Sequence, residues 1–309
     1  MGILPLVQTV ASMMAMRLRR LSFFGSCPGT AESYDNELLC KGDRDEVLDQ
    51  IIMALKGSDW NLLQVCDLRD TPLSSALCKR IAEEWQSDEM PKIPCPFIDL
   101  PPSGDVMGII GSRTRRTIRS VSNALKAEDR IAFRIEDSPD RVADAMRTYV
   151  TLHRERWMKR GGSILTDENL SSFLINISKR LAERGVGRVY EVRIDDRVAS
   201  QLLCIDDWDC IRAYRIGISE SAKEYSPGNM VVHFAMNDAQ KRGFRRFDFG
   251  KGAEEFKYRM GAENASLIGI EAKKGSLEML SKIASLPGVK SVVDRTHVRD
   301  AALKKMYES

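Results

Sequence analysis

The run Tyr225-Ser226-Pro227-Gly228-Asn229-Met230-Val231-Val232 sets a Ser, a Pro and a Gly directly against apolar residues. Ser226 is a good helix N-cap, and Pro227 suits the first helical position, where a missing N–H costs nothing. Met230, Val231, Phe234, Ala235 and Ala239 then recur with helical spacing, and Gly243 ends the helix. Unpaired N–H groups and the positive end of the helix dipole therefore meet around Ser226 to Met230, which makes this stretch a candidate anion site. Asp248 lies between Phe247 and Phe249 and so faces away from them on a strand. Two roles are open to it: a base at a cleft, or an acceptor for the N–H groups of Gly250 to Gly252. Arg113, Arg115, Arg116 and Arg119 form a basic cluster, read either as a solvated helix face or as a phosphate contact.

These residues need elements to hold them. "CIRAYRIGIS" before the loop and "FRRFDFG" after the helix alternate as strands, giving strand, loop, helix, strand. Upstream, "SRTRRTIRSVSNALKAED" predicts a helix and "IAFRIED" a strand. Two longer helices follow, "DRVADAMRTYVTLHRERWMKR" and "DENLSSFLINISKRLAERG". "GRVYEVRID" and "RVASQLLCID" join "CIRAYRIGIS" through tight polar turns, as antiparallel neighbours do. "ENASLIGIEAKK" is the last predicted strand. Before all of this, helices over 45–57 and 75–87 flank a strand over 60–68, and "GILPLV" reads as a buried strand. "DEMPKIPCPFIDLPPSGD" holds five of the eleven prolines and predicts a connector. The expected organisation is a first lobe over 1–104, a second domain over 105–275 and a helical tail over 276–309.

Composition narrows the function. A net charge of +3 over 309 residues is too small to argue for a nucleic-acid partner. Seven scattered cysteines without CxxC, and three distant histidines, give no metal-ligand set. Reduced thiols in a cytoplasmic protein are the simplest reading. The apolar start precedes its basic residues and is too short for a membrane span, so no transmembrane segment is expected.

The order of elements resembles a GNAT acyltransferase core, an α+β sandwich with a mainly antiparallel sheet flanked by helices. More narrowly, Ser226, Pro227, Gly228, Gly243, Phe247, Asp248, Phe249, Gly252, Glu254, Phe256 and Lys257 resemble the acetyltransferases associated with cellulose and exopolysaccharide biosynthesis. Those are related in turn to Fem-type peptidyltransferases. "LHRERW" over 152–157 is similar to the same family's Leu-His-x-x-Arg-Trp helix end. Two departures stand out: Ala253 replaces an Asp, and the family has several dozen more residues before its "LPL" strand. The resemblance thus predicts an incomplete first GNAT-like lobe.

The resemblance also implies chemistry. Acetyl-CoA or another acyl-CoA is the expected co-substrate, without a metal. Ser226, Pro227, Gly228, Asn229 and Met230 are expected to hold its pyrophosphate, with Gly228 permitting close approach. Acyl transfer needs a neutral nucleophile, a stabilised oxyanion and a proton for the departing thiolate. Lys257 is the expected oxyanion or phosphate contact, the other reading being a solvated helix lysine. Glu254 either orients Lys257, acts as base, or forms a surface ion pair. Tyr225 and Tyr258 are candidate proton donors. His153, Arg156 and Trp157 are expected on the acceptor side, the other reading of His153 being a partly buried histidine at a helix end. The acceptor would be a sugar or lipid-linked precursor of a surface polysaccharide. Competing readings are a Fem-type transferase using aminoacyl-tRNA, and a non-catalytic adaptor among polysaccharide-synthase proteins.

Overall fold

The computed structural model describes residues 2–13, 16–23, 36–275 and 277–279. The expected helical tail over 276–309 lies almost wholly outside them, as does Cys27. In chain order the elements are β1 (Gly2–Ile3), β2 (Leu6–Met13), β3 (Met16–Phe23), β4 (Leu39–Cys40), α1 (Arg44–Gly57), β5 (Leu62–Arg69), α2 (Pro72–Glu84), β6 (Gln86–Glu89) and β7 (Ile93–Asp99). There follow α3 (Ser112–Ala127), β8 (Ile131–Glu136), α4 (Pro139–Met158), α5 (Glu168–Glu183), β9 (Gly187–Ile194), β10 (Arg197–Asp207) and β11 (Cys210–Ile218). The last are α6 (Pro227–Lys241), β12 (Arg246–Asp248), α7 (Glu255–Arg259) and β13 (Glu263–Lys273).

The chain divides into two compact units, one up to Lys92 together with the residues from Leu267 onward, the other Ile93–Ser266. The proline-rich stretch carries strand structure of its own. It holds the end of β6 and all of β7, and β7 pairs antiparallel with β12. Proline lacks an N–H but keeps its carbonyl, and only acceptors are wanted here. Phe249 N–H donates to the Pro96 carbonyl and Gly252 N–H to that of Pro94, each at 2.9 Å.

In the first unit β2 pairs antiparallel with β3, β3 runs parallel to β5, and β13 lies antiparallel to both β5 and β6. Thr71 caps α2 by accepting from Ser74 N–H, and Asp43 caps α1 through Glu46 N–H. Leu48, Ile52, Leu63, Val65, Leu77 and Ile81 fill the core between helices and sheet. Trp60 is buried there and spends its indole N–H on the Leu55 carbonyl at 2.8 Å.

The second unit has the strand order β7-β12-β11-β10-β9-β8, antiparallel throughout except between β11 and β12. Asp195 and Asp196, with φ of 50° and 59°, make the two-residue turn between β9 and β10. Neighbouring strand residues point to opposite faces, so the two helical layers divide the β10 side chains between them. Leu202 and Cys204 join a core with α3 and α6, whereas Leu203 joins one with α4 and α5. This mixed, mainly antiparallel sheet between helices is the expected α+β architecture.

Candidate active site

Strands β11 and β12 pair only over Cys210↔Arg246, Ile211↔Phe247 and Arg212↔Asp248. Beyond Arg212 the β12-facing edge of β11 is not paired with β12, leaving a stretch of main chain able to take an extended ligand. The parting coincides with a β-bulge. Leu203 faces Arg215 and Cys204 faces Ala213, so Tyr214 is the extra residue with no opposite partner on β10. Asp248 ends β12: it accepts from Gly250 N–H at 2.6 Å and is ion-paired with Arg212 at 3.0 Å. The turn-capping role is the one its geometry shows, and both its oxygens are engaged there.

The loop after β11 leads into α6 beside this parting. Ser226 occupies the N-cap position, but with φ 52° and ψ 46°, and its side chain makes no capping bond, contrary to the expectation. The left-handed backbone turns the hydroxyl away from the first turn. Pro227 does stand at the first helical position. Its carbonyl accepts from the buried Ser200 hydroxyl on β10 at 2.8 Å, a tie that no local pattern announces. Asn229 N–H returns to the Ser226 carbonyl, while Gly228 N–H meets no acceptor outside the helix among the described residues. Gly228 also packs against β11. A Cβ there would stand 2.8 Å from Ile218 Cδ1, so the glycine lets α6 lie close on β11.

Lys257 is only 3% exposed, so it is no solvated helix lysine. Its ammonium donates to the carbonyls of Gly250, Lys251 and Gly252 at 3.2, 2.6 and 3.1 Å, and pairs with Glu254 at 2.8 Å. All three N–H donors are thus committed to the loop behind β12, which leaves none for an oxyanion in this conformation. Glu254 partners that lysine as an (i, i+3) ion pair with its carboxylate more than half exposed. The Tyr225 hydroxyl is turned toward Arg130, whose guanidinium is held firmly charged first by Asp195, then by Glu128 and by that phenol. A guanidinium only donates, so the Tyr225 oxygen accepts there and the phenol keeps its own O–H. Tyr258 donates to Asn264 at 3.4 Å.

The α4 face of the bulge carries the residues that the resemblance puts on the acceptor side. The His153 and Trp157 rings stack at 5.9 Å, and Tyr149 lies 5.8 Å from His153. His153 Nδ1 shares a 2.8 Å hydrogen bond with Ser163 Oγ. Burial first, then the charges of Arg215 and Arg156, depress His153 to about 4, so the imidazole is neutral near pH 7. Burial raises Tyr149 to about 12, keeping it a protonated donor. Arg156 is ion-paired with Glu220 at 3.7 Å. The bulge also brings in two residues that alternation alone would have separated. Arg215 packs over the Tyr214 ring at 4.6 Å, both on the side of Tyr149 and His153. Of the basic cluster on α3, Arg119 pairs with Asp105 and Arg115 reaches the carbonyls of Met107 and Gly108. No cluster of three metal-ligating side chains occurs among the described residues, and none of their helices is long and apolar enough to cross a membrane.

Comparison with known proteins agrees with this geometry. Residues 112–258, just under half of the chain, match the family model of the acetyltransferase (GNAT) domain. No curated protein sequence matches. Among solved structures, FemX is similar with a TM-score of 0.56 at 11% identity, over 84% of this chain and 83% of that one. A protein of unknown function from Bacteroides thetaiotaomicron gives 0.59 at 10% identity, over 88% and 84%. L-PGS from Bacillus licheniformis gives 0.54 at 11%, over 91% and 84%. At such identities the likeness is one of fold. Residues 112–258 form an acetyltransferase domain of the GNAT type, and that domain makes the protein an acyltransferase.

Proposed function

We propose that this protein moves an acyl group from acetyl-CoA to an amine or hydroxyl of a sugar or lipid-linked precursor of a surface polysaccharide. The observation that carries the donor half is the parting of β11 from β12 at the Tyr214 bulge, directly upstream of the α6 N-terminus. The open β11 edge suits the amides of a pantetheine arm, and the unpartnered Gly228 N–H with the helix dipole suits the pyrophosphate. The polysaccharide precursor is supported by the likeness of the Ser226-Pro227-Gly228 loop and the Gly252 to Lys257 stretch to that group of acetyltransferases.

Within this reading Lys257 and Asp248 are positioning residues. They fix the 248–252 turn that ends β12 and so hold open the gap beside β11. On the acceptor side, Tyr149 donates a hydrogen bond and neutral His153 receives or passes a proton, with Trp157 and Arg156 shaping the wall. A second reading, transfer from a charged tRNA as in Fem-type enzymes, draws on the match to FemX over 84% of the chain, which reaches well outside residues 112–258.

Calorimetric titration with acetyl-CoA separates the two. Saturable one-site binding, weakened by Asn229→Asp, supports acyl-CoA as donor. A well-folded protein that ignores acetyl-CoA but consumes aminoacyl-tRNA would overturn it.

A further inference from the structure

Two side chains on the α4 face of the sheet are left with unmet demands. Arg215 is the first. Arg156 and Arg160 both pair with Glu220, and Arg212 pairs with Asp207 and Asp248. Arg215 has no ion-pair partner among the described residues; it rests on the Tyr214 ring and faces Tyr149 and His153, neither of which is an acid. A guanidinium stacked on an aromatic ring keeps its in-plane fork of donors available for an oxyanion.

Gln201 on β10 is the second. It stands opposite Gly217, two residues along β11 from Arg215, and is 1% exposed. Its amide cannot be flipped, because Nε2–H donates to the buried Glu191 carboxylate. That orientation leaves Oε1 fully buried with no donor. Buried acceptors left unpaired are costly, and this one asks for an N–H or O–H that the described protein does not supply. Gly217 adds no side chain between them, and the Tyr149 ring lies over it, 3.0 Å from where a Cβ would stand. Glu191 is itself paired with Arg193 at 3.3 Å, so the row offers no excess negative charge to repel an anion.

We propose that the acceptor is an anionic amine or alcohol, its carboxylate or phosphate bound by the Arg215 guanidinium on the α4 face of the sheet. This rests on the acyltransferase reading and narrows the acceptor class. It makes Arg215 a specificity-determining residue.

The test uses matched acceptors that differ only in the oxyanion: glucosamine against glucosamine 6-phosphate, and glycinamide against glycine. Thiol release from acetyl-CoA is followed with the full chain and with Arg215→Gln and Arg215→Lys. An anionic acceptor preferred about tenfold or more in KM, the preference lost in Arg215→Gln and partly kept in Arg215→Lys, is the expected result. Which pair shows it tells phosphate from carboxylate. Equal KM values within both pairs, or a preference that survives Arg215→Gln, would overturn the proposal. Acetyl-CoA binding is titrated in parallel, since its absence defeats the donor assignment and not this one. Should turnover be absent, thermal shift with the same four probes decides. Stabilisation by an anionic probe in the parent but not in Arg215→Gln supports the site, and no stabilisation by either overturns it.

Discussion

Lys257 has three N–H donors, and all three end on consecutive main-chain carbonyls behind β12. Removing the ammonium leaves those carbonyls and the Glu254 carboxylate without their partner, so Lys257→Met is expected to cost about 3 kcal/mol in chemical denaturation. Lys257→Arg should not rescue it, because a planar fork cannot serve three carbonyls converging on one point. A loss well under 1 kcal/mol would return Lys257 to the list of free catalytic groups. His153 gives a second prediction at this scale. Its folded-state value of about 4 lies below the ordinary 6.5, so the unfolded chain binds more protons between them. Its contribution to stability is therefore complete above pH 6.5 and is lost as pH falls toward 4. Denaturation of the parent and His153→Gln at pH 7, 6, 5 and 4 should show the parent losing more over that range. Parallel curves would mean that the imidazole is already solvated. A partly buried histidine at a helix end was among the readings of the sequence, but the lysine's role was not legible: a lysine after an aromatic residue in a short helix looks the same whether its tip is wet or buried.

The N-terminal turn of α6 unites the anion site, the tie from Ser200 and the close approach to Ile218. A carboxylate in that turn favours the helix through its dipole and disfavours a phosphate in the same place. Asn229→Asp should thus hold or slightly raise the melting temperature while weakening acetyl-CoA at least about tenfold. Weaker binding with lost stability would point to misfolding instead, and unchanged binding would remove the anion site. Ser200→Ala should cost about 1 kcal/mol by freeing the Pro227 carbonyl, measured by urea denaturation. The periodic elements, above all α3 to α6 and the three-strand run β9 to β11, stood out in the sequence because one face of each is plainly apolar. What escaped were departures from the period. "CIRAYRIGIS" alternates cleanly on paper, which sends Tyr214 and Arg215 to opposite faces. The bulge changes no residue type, yet it re-phases the strand and brings both to the α4 side. The adjacent Tyr and Arg inside an otherwise alternating strand were the available signal. β7 escaped for the opposite reason: its prolines are read as breakers, whereas the turn opposite needs only their carbonyls.

At the scale of the whole molecule, each unit has a core of its own among the described residues. One core gathers α1, α2 and β5 with Ile270 and Ala272 of β13; the two others lie wholly within Ile93–Ser266. A unit with its own core is able to melt on its own, and a ligand stabilises only the unit that binds it. The loop, the bulge, β12 and the α4 residues all belong to Ile93–Ser266. Differential scanning calorimetry of the full chain should therefore resolve two transitions, and acetyl-CoA should raise one of them. At about one hundred times its Kd the gain is about 2.7 kcal/mol, appearing as a shift that grows with the logarithm of concentration. Lys257→Met should lower the same transition that acetyl-CoA raises, since the 250–252 loop lies in that unit. A single transition moved as a whole by both would show that β13, whose chain passes from one unit to the other, couples their unfolding.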